Sequence, residues 1–180
     1  MTQPKTALLL IDVQASFPAR DYWVESLAQA WRPKQRAVLN AAQTNDIPVV
    51  RILHEAPGSQ GAFDPDGGLI RPLDDFNDEV AVTFHKRAHN AFSDTSLESW
   101  LRERGIERLA ISGIRTEQCC ETTARVASDL GFSVDFISDA TLTFPMTRHG
   151  VTSPGQPRIL RRAPNWYLKT ALRVLSVHKT

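Results

Sequence analysis

The stretch RLAISGIRTEQCCETTARVASDLGFSVDFIS, residues Arg108–Ser138, decides the fold. Its two ends, Arg108–Ser112 and Phe132–Ser138, are short apolar runs of the kind that form buried strands. Between them, a turn at Gly113–Thr116 leads into a helical pattern that stops at Gly131, a residue suited to ending a helix. Strand, helix and strand in this order predict a βαβ unit, and therefore two parallel strands.

The rest of the chain repeats this alternation of strands and helices. The further predicted strands are Thr6–Val13, Ile47–Leu53 and Glu79–Phe84, and the further predicted helices are Trp23–Trp31, Pro33–Thr44, Leu97–Arg104 and Trp166–Leu175, the last with a possible short strand after it. Such a series predicts an α/β fold with three layers, in which helices cover a mostly parallel, Rossmann-like sheet of five to six strands. We expect a single domain over residues 1–180, since this length suits one hydrophobic core.

Charge and composition argue against some classes of function. The chain has 21 Lys and Arg against 20 Asp and Glu, and 42% of its residues are hydrophobic. This near-zero net charge argues against nucleic acid or an anionic membrane as the main partner, and favours a small-molecule substrate. The N-terminal MTQPKTALLLID does not have the pattern of a signal peptide. Two adjacent cysteines do not staple a fold, so we expect reduced thiols and a cytoplasmic protein.

Three reactive side chains follow predicted strands. Asp12 lies at the end of the first strand, Lys86 just past the third, and Cys119 after the fourth, where a helix begins. Sites in parallel sheets gather at the carboxyl ends of the strands, so these side chains are expected to meet. An acid, an amine and a thiol together suit nucleophilic catalysis by a thiolate. A helix N-terminus and a nearby cation are expected to lower the thiol pKa.

Three motifs resemble the isochorismatase-like cysteine hydrolases, which include nicotinamidases and N-carbamoylsarcosine amidohydrolases. They are IDVQASF, HKRAHNAF and SGIRTEQCCETTARVASDLGFSVDFISDA, in the family's order. The resemblance implies a catalytic triad of Asp12, Lys86 and Cys119, with Cys120 in a packing position. It also implies a cis peptide at Ile114–Arg115, which would direct the N–H groups of Arg115 and Cys119 at an oxyanion.

Substrate contacts are expected from the loops around this triad. The candidate substrate-binding residues are Phe17, Trp23, His54, Phe63 and Arg115. Arg115 is bulky and charged where the family commonly has smaller residues, so it either binds a substrate carboxylate or points outward. The stretch RILHEAPG lacks the Asp-x-His metal pattern of nicotinamidases, so we expect no metal and no cofactor. His85 and His89 are assigned surface or packing roles.

These observations lead to one main hypothesis and its alternatives. The main hypothesis is a cysteine hydrolase that cleaves the C–N bond of a small amide or N-carbamoyl (ureido) compound through a thioester on Cys119. One alternative is isochorismatase-type hydrolysis of a vinyl ether, which relies on Asp12. Another is a thiol redox or sensing protein, or a ligand-binding protein without turnover. The resemblance also implies a homo-oligomer, either a dimer or a tetramer.

Overall fold

The computed structural model describes residues 5–148 and 151–153, and its centre is a sheet of five parallel strands. In chain order the strands are β1 (Thr6–Ile11), β2 (Val49–His54), β3 (Val82–Lys86), β4 (Arg108–Ile114) and β5 (Ser133–Leu142). Their spatial order is β3-β2-β1-β4-β5, with β1 in the centre. The prediction of an α/β fold with a mostly parallel sheet is therefore confirmed.

Helices cover both faces of this sheet, because successive side chains of a strand point to opposite sides. Leu8 of β1 packs in one apolar cluster with helix α1 (Glu25–Thr44). Leu9 packs in a second apolar cluster on the other face, with α2 (Leu97–Glu103) and α3 (Glu121–Asp129). Because each central strand is buried on both faces, its sequence is a continuous apolar run, which made the strands easy to predict.

One prediction about the helices is wrong. The sequence predicted separate helices at Trp23–Trp31 and Pro33–Thr44, but the chain forms the single helix α1, with Pro33 inside it. A proline removes the hydrogen bond to the carbonyl four residues earlier, here that of Gln29. Both residues are exposed, so the unpaired carbonyl lies on the side of the helix that faces water. The buried face of α1 therefore continues through Pro33 without a break.

An ordered loop connects β2 to β3. Its first half is closed by Asp64, whose carboxylate accepts a hydrogen bond of 2.8 Å from the N–H of Gln60. Its second half is held by the buried Arg51, which donates to the carbonyl of Phe76 at 3.0 Å. The predicted loop at His54–Pro72 thus has turns of its own, and its first residue belongs to β2.

After β5 the chain forms a short antiparallel hairpin of β6 (Met146–Arg148) and β7 (Val151–Ser153). The predicted helix at Trp166–Leu175 and the strand after it lie outside the described residues. No helix within the described residues has the length and apolar character needed to span a bilayer.

Candidate active site

The close approach of β1 and β4 forms the floor of the site. Gly113 pairs with Ile11, and a Cβ atom at position 113 would lie only 1.9 Å from the Ile11 carbonyl oxygen. Its φ of 128° also favours glycine. Asp12 follows β1 in a left-handed conformation, with φ of 51°, and donates its N–H to the carbonyl of Ile52 at 2.9 Å. The Asp12 side chain is thereby held, fully buried, at the carboxyl edge of the sheet.

Lys86, the last residue of β3, connects the candidate catalytic side chains. Its Nζ atom lies 2.8 Å from Asp12 Oδ2 and 3.3 Å from Cys119 Sγ. It also donates to the carbonyl oxygen of Ala88 at 3.0 Å. Lys86 and Asp12 are both fully buried, so little solvent screens the attraction between their charges. The three residues that sequence reasoning selected therefore meet at one point.

Electrostatics at this point keep the thiol protonated. Burial raises the pKa of Cys119 far above its ordinary value, the Asp12 charge adds to this, and the Lys86 charge opposes it. Burial alone would lower the pKa of Lys86, but attraction to Asp12 and Cys119 raises it overall. The expectation of a lowered thiol pKa is wrong, because burial and the neighbouring carboxylate outweigh the cation. In the resting site the ammonium pairs with Asp12, and the thiol is neutral.

A π-helical turn, Thr116–Cys120, presents Cys119 and leads into α3. Its N–H to C=O bonds span five residues, as in the bond from the Cys120 N–H to the Arg115 carbonyl at 3.2 Å. Such turns are frequent at functional sites. The side chain of Cys119 is 6% exposed and that of Cys120 is 0% exposed, so only Cys119 has any contact with solvent. The peptide bond between Ile114 and Arg115 is cis.

His54 ends β2 beside Lys86, and the two residues are paired in the sheet register. Its Nδ1 atom lies 3.4 Å from Lys86 Nζ. Gln14 holds its backbone from both sides, accepting the His54 N–H at 2.7 Å and donating to the His54 carbonyl at 2.9 Å. Burial and the Lys86 charge lower the pKa of His54, so this ring stays neutral. Gln14, a buried residue of the first motif, was not among the predicted site residues.

Aromatic rings extend from His54 away from the ion pair. The ring of Phe63 contacts His54 edge-on at 5.4 Å between centroids and Phe17 at 5.2 Å. Phe17 in turn contacts Tyr22, a residue that sequence reasoning did not select. Three of the predicted substrate-binding residues therefore form one continuous aromatic group. Trp23, the fourth, joins this group through Phe144, which contacts both Trp23 and Tyr22. The indole N–H of Trp23 donates to the exposed Glu25.

Arg115, the fifth predicted substrate-binding residue, is buried rather than pointing outward. Its guanidinium group forms an ion pair with Glu117 at 3.1 Å and lies 4.9 Å from the ring centre of Tyr22. Burial raises the pKa of the Tyr22 hydroxyl overall, although the nearby Arg115 charge acts to lower it. The turn that carries Cys119 is thus tied to the aromatic group through Tyr22.

His89 is the functional candidate that sequence reasoning missed. It was assigned a surface or packing role, yet its Nδ1 atom lies 3.7 Å from Cys119 Sγ. The residue is exposed and belongs to the loop that leaves the end of β3, three positions after Lys86. That spacing was the only available signal, because the path of a loop does not follow from its sequence pattern. His85, by contrast, is exposed and pairs with Glu55, as a surface role requires.

No group of three or more His, Cys, Asp or Glu side chains arranged to hold a metal ion occurs among the residues that the structure describes.

Comparison with known proteins identifies relatives of this chain. Residues 6–151 match the family model of the isochorismatase domain. The chain is 30% identical over 154 residues to the isochorismatase family protein YrdC of Bacillus subtilis, covering 80% of this chain and 77% of YrdC. It is 30% identical over 162 residues to nicotinamidase 3 of Arabidopsis thaliana, and the match covers 81% of this chain and 77% of nicotinamidase 3. It is also 30% identical over 176 residues to a streptothricin hydrolase of Streptomyces noursei, covering 94% of this chain and 61% of that protein.

Solved structures share the fold. A crystal structure of a protein from Burkholderia xenovorans LB400 aligns with a TM-score of 0.77 at 27% identity, over 86% of this chain and 75% of that one. An N-carbamoylsarcosine amidase from Thermoplasma acidophilum aligns with a TM-score of 0.68 at 21% identity, over 81% of this chain and 86% of the amidase. At that identity the second likeness concerns the fold alone.

Fold, motifs and relatives together define the class of the protein as an isochorismatase-like cysteine hydrolase. The chain belongs to the isochorismatase family, whose domain model spans most of its length. The resemblance inferred from the three motifs is therefore confirmed, and the protein is a hydrolase.

Proposed function

We propose that this hydrolase cleaves the C–N bond of a small amide or N-carbamoyl compound through a thioester on Cys119. The observation that carries the proposal is the double contact of Lys86 Nζ, 2.8 Å from Asp12 Oδ2 and 3.3 Å from Cys119 Sγ. This is an acid, a cation and a nucleophile within reach of one another, as nucleophilic catalysis requires. The relatives named nicotinamidase and streptothricin hydrolase also support hydrolysis of an amide.

In the proposed reaction, Asp12 takes the thiol proton as Cys119 attacks the substrate carbonyl. Because the pKa of the resting thiol is raised, the proton leaves during the attack rather than before it. Lys86 stabilises the thiolate that forms, at a distance of 3.3 Å. The N–H groups of Arg115 and Cys119 are proposed to bind the oxyanion. Asp12 then gives its proton to the departing ammonia or amine, and water hydrolyses the thioester. The mechanism uses no cofactor.

The proposed substrate contacts come from two groups of side chains. Phe17, Phe63 and His54 supply a wall of edge-on rings for an apolar portion of a small substrate. Trp23 extends this wall through its contact with Phe144. Arg115 supplies a buried positive charge, partly balanced by Glu117, for a carbonyl or carboxylate oxygen.

The experiment that tests this proposal measures ammonia released from a panel of primary amides and ureido acids. The wild type is compared with Cys119→Ala and with Cys120→Ala, the matched control, because Cys120 is the adjacent thiol and has no exposed surface. We expect Cys119→Ala to release no ammonia above background and Cys120→Ala to keep most of the activity. Equal activity of wild type and Cys119→Ala on a cleaved amide would rule out the thioester route.

A second candidate function is hydrolysis of a vinyl ether with Asp12 as the acid. The observation that favours it is the raised pKa of the Cys119 thiol, because a thiol that keeps its proton is a poor nucleophile and the reaction would then rely on Asp12. The two functions differ in their dependence on the thiol. Vinyl ether hydrolysis should survive Cys119→Ala and be lost in Asp12→Asn, whereas amide hydrolysis should be lost in both.

A further inference from the structure

We propose that His89 is a second catalytic base, which activates the water that hydrolyses the Cys119 thioester. This inference rests on the proposed function, since it concerns the second half of the same reaction. The observation that carries it is the contact between His89 Nδ1 and Cys119 Sγ at 3.7 Å. Lys86 Nζ also contacts this sulfur, at 3.3 Å, and Asp12 interacts with it as well.

The two groups differ in their access to water. Lys86 and its partner Asp12 are fully buried, whereas His89 is exposed. The sulfur of Cys119 therefore has a buried, charged side and a side open to solvent through His89. The hydrolytic water must arrive from solvent after the amine has left. An imidazole beside the sulfur on the open side is positioned to accept a proton from that water.

The other candidate bases lie away from the open side of the sulfur. His54 directs Nδ1 at the Lys86 ammonium, 3.4 Å away, so that nitrogen accepts from the cation. Asp12 is paired with the same ammonium at 2.8 Å on the buried side. The loop that carries His89 is tied to the same centre, because the carbonyl of Ala88 accepts a hydrogen bond from Lys86 Nζ at 3.0 Å.

The proposed step balances without any further reactant. The water oxygen attacks the thioester carbonyl carbon, and the imidazole of His89 takes one water proton. The tetrahedral intermediate collapses, the C–S bond breaks, and its electron pair stays on sulfur. The His89 ring then returns the proton to Cys119 Sγ across the 3.7 Å contact. The products are the free acid and the original thiol, and His89 is ready for another cycle.

The test separates acylation from hydrolysis with p-nitrophenyl acetate as the probe. Attack by Cys119 releases nitrophenolate as a burst and leaves an acetyl thioester, and the later steady phase reports its hydrolysis. The variant is His89→Asn, which keeps a polar group near the position of Nδ1 but accepts no proton. The matched control is His85→Gln, an exposed histidine of β3 that pairs with Glu55.

In His89→Asn we expect the burst to persist and the steady phase to slow by about 10²-fold, the lower range for loss of a general base. Intact mass should reveal an acetyl group accumulating on the variant. Hydroxylamine should restore its turnover, because this nucleophile attacks thioesters without a base. The control should match the wild type.

Two results would overturn the inference. One is a steady phase in His89→Asn equal to that of His85→Gln. The other is equal loss of burst and steady phase, which would assign His89 to activation of the thiol. Failure of the proposed function looks different, because the wild type itself would then give no burst and form no acetyl adduct on Cys119.

Discussion

Replacing Asp12 with asparagine should make the Cys119 thiol more reactive towards alkylation and at the same time abolish amide turnover. In the wild type the Lys86 ammonium is shared between a carboxylate at 2.8 Å and the sulfur at 3.3 Å. The Asp12 charge is one of the causes that raise the thiol pKa. In the variant the thiolate becomes the only close counter-charge of Lys86 among the described residues.

The size of the effect follows from the distances. Lys86 Nζ touches both Asp12 Oδ2 and Cys119 Sγ, so the carboxylate oxygen and the sulfur are at most about 6 Å apart. At an effective dielectric constant of about 20, two negative charges at that separation repel by about 3 kcal/mol. Removing the Asp12 charge removes this repulsion, so the pKa of Cys119 falls and the thiolate fraction near neutral pH rises about 10²-fold. The lower basicity reduces the reactivity of the thiolate about 10-fold, so the net expectation is alkylation about 10-fold faster than in the wild type.

The assay is labelling with iodoacetamide near neutral pH, followed by peptide mapping that reads the two thiols separately. Cys120, which is fully buried, serves as the internal control. Asp135→Asn is the matched variant, because it removes another buried, ion-paired carboxylate, whose partner Arg108 begins β4 at the opposite edge of the sheet. Labelling of Asp12→Asn at or below the wild-type rate would refute the reasoning that Asp12 holds the thiol neutral.

Three further predictions concern stability. Gly113→Ala should lower the unfolding free energy by about 3 kcal/mol or more, because its Cβ would overlap the β1 backbone. In the same urea titrations Gly61→Ala should change the unfolding free energy little, because its Cβ would make only ordinary van der Waals contacts. Lys86→Met should lower the unfolding free energy by about 3–5 kcal/mol, because it leaves Asp12 buried and unpaired. Adding Asp12→Asn to this variant should restore much of the lost stability. Unfolding at rising pH should show the wild type losing stability above about pH 8.5, where the unfolded thiol releases its proton and folded Cys119 keeps it. The Cys119→Ser variant should lose less unfolding free energy than the wild type over the same pH range, and the difference should be up to about 1.4 kcal/mol per pH unit. A steeper loss in Cys119→Ser than in wild type would contradict the assigned direction of the pKa.

The strands could be predicted because parallel strands buried on both faces are continuous apolar runs. The exception is the edge strand β3, predicted at Glu79–Phe84 and found at Val82–Lys86. Its side chains alternate between exposed and half-buried, so its apolar pattern gives no clear boundary. The shift matters for the site, because it makes Lys86 the last residue of the strand. The unbroken helix α1 was missed because the cost of Pro33 depends on which side of the helix it faces.

The site could be predicted only as far as residue type and strand ends allow. Asp12, Lys86 and Cys119 follow strands whose carboxyl ends meet, so their proximity followed from the order of the elements. The upward shift of the Cys119 pKa could not be predicted from the order of the elements, because it depends on how deeply the sulfur is buried and on the carboxylate beside it. The contact of His89 with the sulfur depends on the path of the loop after β3, which no periodic pattern describes.

The most direct test of the central claim is to trap the acyl-enzyme on a cleaved amide. The reaction is quenched in acid during turnover, and the tryptic peptide that contains both thiols, TEQCCETTAR (Thr116–Arg125), is sequenced by mass spectrometry. The account predicts a thioester adduct with the mass of the substrate's acyl group on Cys119, none on Cys120, and none in the Cys119→Ser variant. An adduct on Cys120, or steady ammonia release by Cys119→Ser, would contradict it.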